Sequence, residues 1–195
     1  MDWKRTASTD PDGLTGLLLH AHQEIGDPPL SGTRFLCSDR DMLAQMRKVE
    51  AAVLGTPTTV YAGCQSAERF EREAETFRDL VDAGTDVIAF GTGRPDTDVP
   101  LRWVDLPADP DRLENQWYLV ARGPTPTALV GFETNLNASS TARMWDGFIS
   151  HDGRLVEAMI DHLDAVARSR GPSGRPRQAR DVRPPPHGAG PRRRS

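Results

Sequence analysis

The sequence predicts a single α/β domain, a mixed β-sheet flanked by helices. Three observations carry that expectation. Thr58–Gly63 and Asp86–Phe90 are β-branched, aromatic or apolar runs on either side of a helix-patterned segment, so residues 58–90 form a βαβ unit with parallel strands. Gln116–Ala121 and Thr127–Glu133 are strand-like and are joined by Arg122-Gly123-Pro124-Thr125-Pro126, short enough for a hairpin. Leu155, Val156, Met159, Ile160, Leu163 and Val166 then recur on one face of a C-terminal amphipathic helix that Asp152 caps.

The remaining elements follow in order. Residues 11–25 read as a helix capped by Asp10 and stopped by Asp27-Pro28-Pro29, because proline lacks an N–H and clashes with the preceding turn. Thr33–Cys37 is a short strand. Ser38 caps a second helix, with Asp41 as a weak capping-box analogue and Met42, Leu43, Met46, Val49 and Val53 at helical spacing; Gly55 and Pro57 end it. Ser66 caps a third, whose stripe is Phe70, Ala74, Phe77, Leu80 and Val81, and Gly84 closes it. Leu101–Leu106 alternates as a half-buried strand after the Gly91–Pro100 loop. Asn135–Thr141 is a polar loop, and Trp145–Ile149 is a last edge strand or bend.

Composition sets the limits. The 195 residues are 37% apolar and 27% charged, enough to bury a core without a metal or disulfide. Residues 171–195 hold seven arginines and one acid, a net +6, so the rest of the chain accounts for −10 of the formal −4. An acidic body repels nucleic acid and anionic membrane, leaving only the tail to favour either. The tail's Gly, Pro, Arg and Ser cannot bury enough to offset chain ordering, so disorder is expected there. The organisation read is a helical extension over 1–30, a domain over 31–170 and an Arg/Pro-rich tail over 171–195. Two unclustered cysteines, Cys37 and Cys64, fit a reducing compartment. With no signal-peptide core and no membrane-length apolar run, a cytoplasmic location is expected.

Candidate chemistry is sparse. Gly91-Thr92-Gly93-Arg94 follows a buried strand, but Asp96 stands where a dinucleotide loop needs glycine, and no Gly-Lys-Ser/Thr ending is present, so an ordinary turn is the favoured reading. His20 and His22 are two apart and His151 and His162 eleven apart, so no metal site is expected. There is no Gly-x-Ser-x-Gly elbow. Cys64 sits where a strand gives way to a helix, a place for a stabilised thiolate, but a buried cysteine acting as a small hydrophobe is favoured. Glu68, Glu71, Glu73 and Glu75 interleave with arginines as surface pairs. Trp103, Trp117 and Trp145 suit core packing, with an aromatic-lined pocket as the alternative. No catalytic set emerges.

Several segments together resemble the DICT sensory domain family, which occurs with diguanylate cyclases and two-component proteins. They are Val60-Tyr61-Ala62-Gly63-Cys64-Gln65, Phe70, Glu75–Leu80, Val87-Ile88-Ala89-Phe90-Gly91, Trp117-Tyr118-Leu119-Val120, Ala128–Glu133 and Trp145–Asp152, spanning roughly residues 35–168. The family pattern carries an aromatic where Cys64 stands. The resemblance implies a stand-alone sensory or regulatory module linked to light response, with no established catalytic residues and an unknown cofactor. Its partners would be a small-molecule signal or a kinase, cyclase or transcription regulator. A ligand-free protein-interaction adaptor using the basic tail on nucleic acid is the second reading, and a cysteine-dependent enzyme the third. A ligand pocket is expected at the carboxyl ends of the strands, which points to Cys64, Gln65, Gly91, Arg94, Trp117 and Glu133.

Overall fold

In the computed structural model, residues 32–106, 116–133 and 144–170 are described here. The helix expected over 11–25, the loop over 135–141 and the tail over 171–195 lie outside them. Seven strands and three helices follow in the order β1 (Thr33–Ser38), α1 (Asp39–Val53), β2 (Thr59–Ser66), α2 (Ala67–Asp82), β3 (Asp86–Thr92), β4 (Arg102–Leu106), β5 (Gln116–Ala121), β6 (Thr127–Glu133), β7 (Met144–Ser150) and α3 (Gly153–Ser169). They form one mixed sheet in the order β1-β7-β6-β5-β2-β3-β4. The expected α/β class, the parallel β2–β3 pair and the β5–β6 hairpin are all present.

The helices start where their caps dictate. Ser38 accepts a hydrogen bond from the Asp41 amide, Ser66 from Arg69 and Asp152 from Arg154, each satisfying one of the donors a helix start leaves open. The apolar stripes then decide where each helix packs. Met42, Met46, Val49 and Val53 of α1 share one core with Phe70, Phe77 and Leu80 of α2. Leu155, Val156, Met159, Ile160 and Leu163 of α3 form the other. Alternate residues of β2 divide between them, Val60, Ala62 and Cys64 on the side of α1 and α2 and Tyr61 on the side of α3. The Tyr61 hydroxyl donates to Asp164 at 2.9 Å and ties α3 to the sheet.

One element differs from its sequence reading. The Trp145 segment is a full strand inside the sheet, because β1 pairs along its outer side from Thr33↔Ile149 to Ser38↔Met144. A strand more than a hundred residues upstream supplies that pairing, which no local pattern announces.

Two glycines permit close ring packing. A Cβ on Gly63 would lie 2.0 Å from the Tyr118 ring, and one on Gly147 would lie 2.1 Å from the Phe35 ring. Gly63→Ala should therefore cost about 1–3 kcal/mol through overpacking. Leu129→Ala, at a position with no exposure, should cost about 2–5 kcal/mol through the cavity it leaves. Both should appear as lowered urea midpoints with unchanged slope.

Candidate functional site

Following the pairings from β1 through β7, β6 and β5 reverses direction at each step and returns to the original sense at β2. Strands β1 and β2 thus run the same way, and α1 and α2 both begin at the same end of the sheet. Between these two helices, over the sheet face they share, lies a cleft of about 390 Å³.

Its apolar lining comes from Leu43 and Met46 of α1, Phe70 and Phe77 of α2, and Trp117 and Trp145 of the sheet. The rings brace one another. Trp117 meets Trp145 edge-on with centroids 5.5 Å apart, and Phe70 stacks on Phe77 at 5.3 Å. The Trp145 indole N–H donates to the Asp39 carboxylate at the start of α1, which fixes the ring's orientation.

The polar lining is unevenly distributed. Arg40 and Arg69 stand in the first turns of α1 and α2, and neither guanidinium has a hydrogen bond or ion pair among the described residues. Arg72, beside them, is paired with Glu68. Further along the helices, Arg47 bridges α1 to α2 by binding Glu50 at 2.9 Å together with Glu73 and Thr76. Glu50 is 7% exposed. Only its Oε2 takes part in the Arg47 bond; Oε1 makes no hydrogen bond among the described residues and is not fully buried. Burial pushes the Glu50 carboxyl above the usual carboxylate range, against the opposing pull of Arg47.

Strand β2 delivers two more groups through an irregularity. The β2–β3 register passes from Gly63↔Phe90 directly to Gln65↔Gly91, leaving Cys64 as the extra residue of a β-bulge. Gln65 takes a left-handed backbone with φ of 63° and is buried in the cleft wall. Cys64 is fully enclosed, and desolvation pushes its thiol far up, with Glu50 and Glu73 adding to the effect.

Of the positions expected from sequence, Cys64, Gln65 and Trp117 line this cleft. Glu133 is not among the lining residues; it pairs opposite Trp145 in the β6–β7 register, and burial followed by the Asp39 charge raises its carboxyl. Gly91 and Arg94 are elsewhere. Gly91 lies against the Trp103 ring, and Arg94 is exposed just after Gly93, whose carbonyl accepts the Trp103 N–H at 2.8 Å. Sequence reading missed Arg40, Glu50, Arg69 and the role of Trp145. One signal was present, since Glu50 falls within the buried stripe of α1 between Val49 and Val53. Among the described residues no group of three or more His, Cys, Asp or Glu could hold a metal ion. No helix among them is long and apolar enough to cross a membrane.

No family model matches the chain, and no curated protein matches it. Two solved structures are similar in fold. One is a phospholipase D family member, Nuc from Salmonella typhimurium, at 12% identity and a TM-score of 0.45, covering 71% of this chain and 95% of that one. The other is NucT from Helicobacter pylori, at 9% identity and a TM-score of 0.44, covering 71% and 98%. Likeness at this level transfers no activity. Neither similar fold is described as a sensory domain, and no family model supports the DICT reading. The resemblance to the DICT family, the sensory and two-component signalling role drawn from it and the exclusion of enzymes are withdrawn. The segments that carried the resemblance are the buried strands and amphipathic helices of this sheet, a pattern many α/β domains share.

Two outcomes follow from the buried groups. Because Glu50 holds its proton to higher pH when folded than when unfolded, the folded state binds more protons from about pH 4.3 up to the raised value, and stability falls as pH rises through that window. Glu50→Gln should flatten this fall, measured as urea midpoints across the acid range. Iodoacetamide should leave Cys64 unmodified in the native protein and label it on unfolding, as peptide mass mapping would show.

Proposed function

We propose that the cleft between α1 and α2 binds a small organic anion with an apolar, ring-bearing body. The observation that carries this reading is the pair of guanidiniums, Arg40 and Arg69, that have no partner among the described residues and stand at the head of an aromatic-lined cleft. Two helices start at that same end, and their partial positive charge favours an anion there. A guanidinium matches a carboxylate or phosphate with two parallel hydrogen bonds, which places the charged end of the ligand. Trp117 and Leu43, the part-exposed apolar groups of the lining, receive the body with the buried Trp145 and Phe70 behind them, and the cleft's volume lies within the range of small-molecule sites.

The favourable terms are of different kinds. Burial of the ligand's rings contributes on the order of 25 cal/mol per Å² of apolar area. The arginines contribute orientation and a salt-sensitive attraction, since Arg40 is exposed to solvent ions.

Biphenyl-4-carboxylate is a suitable probe. It should quench tryptophan fluorescence saturably and raise the melting temperature, as a ligand of the folded state must. The Arg40→Gln, Arg69→Gln double variant should bind it about tenfold more weakly and with less dependence on salt. Uncharged biphenyl should bind both proteins alike. Absence of saturable binding, or affinity unchanged in the double variant, would overturn the reading.

A further inference from the structure

The cleft has a direction. Arg40 and Glu50 are ten residues apart on α1, a rise of about 15 Å, and α2 runs the same way with Arg69 ahead of Glu73 and Phe77. Arg40 and Arg69 therefore lie at the helix starts, beside the Asp39 carboxylate that holds the Trp145 N–H, with Glu73 about one turn beyond Arg69 and Glu50 nearly three turns beyond Arg40. Arg40 is exposed, whereas Glu50 is more than nine-tenths buried.

Glu50 is also half used. Arg47 occupies Oε2, and Arg47 is itself committed to Glu73 and Thr76. Oε1 has no hydrogen-bond partner among the described residues, and Glu50 lines the cleft. That oxygen is open to water in the cleft, so a ligand that displaces the water must supply a donor in its place. The neighbouring cleft groups do not supply one, since Cys64 points its thiol to the Ala62 carbonyl at 3.8 Å and the rings about it are apolar.

We propose that Glu50 recognises a hydroxyl or N–H on the end of the ligand opposite its anion. This rests on the anion reading of the cleft and narrows it to bifunctional molecules, an acid at one end and a hydrogen-bond donor at the other, joined by an aromatic or similarly flat apolar body. Arg47 and Glu73 hold the carboxylate in place and so act as positioning residues. A molecule with a bare apolar end enters the same cleft but leaves Oε1 desolvated and unpaired, which is how the site rejects it.

Two probes that differ by one hydroxyl test this, biphenyl-4-carboxylate and 4′-hydroxybiphenyl-4-carboxylate. The wild-type protein should bind the hydroxylated probe at least about tenfold more tightly, as a hydrogen bond to a charged acceptor implies. Glu50→Met should abolish the preference, while Glu50→Gln, which keeps an acceptor oxygen, should retain part of it. Equal wild-type affinities for the two probes would overturn the role of Glu50 and leave the anion reading standing. A preference that persists undiminished in Glu50→Met would do the same. Binding of neither probe would overturn both. The wild-type comparison needs no variant to fold, so a Glu50→Met protein that failed to fold would not shield the proposal.

Discussion

Strand β2 has no solvent face, and that constraint dictates the layering around it. Its residues from Val60 to Gln65 are all buried, so both sides of the sheet's centre need cover. Helices α1 and α2 cover one side because each follows a strand that runs the same way as the other. Helix α3 covers the second side after the antiparallel excursion through β5, β6 and β7. The cleft is a consequence of this arrangement. The space left between the two helices over the sheet is floored by large rings.

The cleft's lining includes a polar bridge between the two helices. Taking Glu50 out of water costs several kcal/mol for an isolated ion, and Arg47 offsets much of the cost at 2.9 Å while also reaching across to Glu73. Breaking one partner of such a cluster leaves an uncompensated charge at Glu50, whereas the link across to α2 runs through the part-exposed Arg47 and Glu73 and is screened by solvent. The other ion pairs are of a different weight. Arg72–Glu68 and Arg122–Glu157 are exposed on both sides, and solvent screening reduces each to a minor contribution.

The elements were legible in the sequence because each is marked locally. Ser38, Ser66 and Asp152 announce helix starts, and the run Asp86–Phe90 between glycines announces a buried strand. The sheet order was less so. That β1 closes on β7 depends on a pairing between Cys37 and Trp145, and nothing near either residue encodes it. The site suffered for the same reason. Cys64, Gln65 and Trp117 could be chosen because they lie at strand ends, but Arg40 and Arg69 become a pair only once β1 and β2 are known to run the same way. Glu50 was visible as an acid in an apolar stripe. The resemblance to a sensory family failed on similar grounds, since strand and helix patterns report a layered sheet and not what is bound on it.

The bulge in β2 links the backbone to the site. A regular strand would carry the β2–β3 register one residue further and point Cys64 and Gln65 to opposite faces. The extra residue at Cys64 breaks that alternation, and both side chains end in the cleft wall. The cost is a left-handed backbone at Gln65, of order 1–3 kcal/mol for a residue other than glycine. The strand bears it where Thr92 donates to the Gln65 carbonyl at 3.2 Å and Gly91 brings its backbone close. Glycine at position 65 would carry no such strain and would also present no amide. The bulge therefore ties the backbone irregularity to the cleft wall, where Gln65 is buried and already engaged.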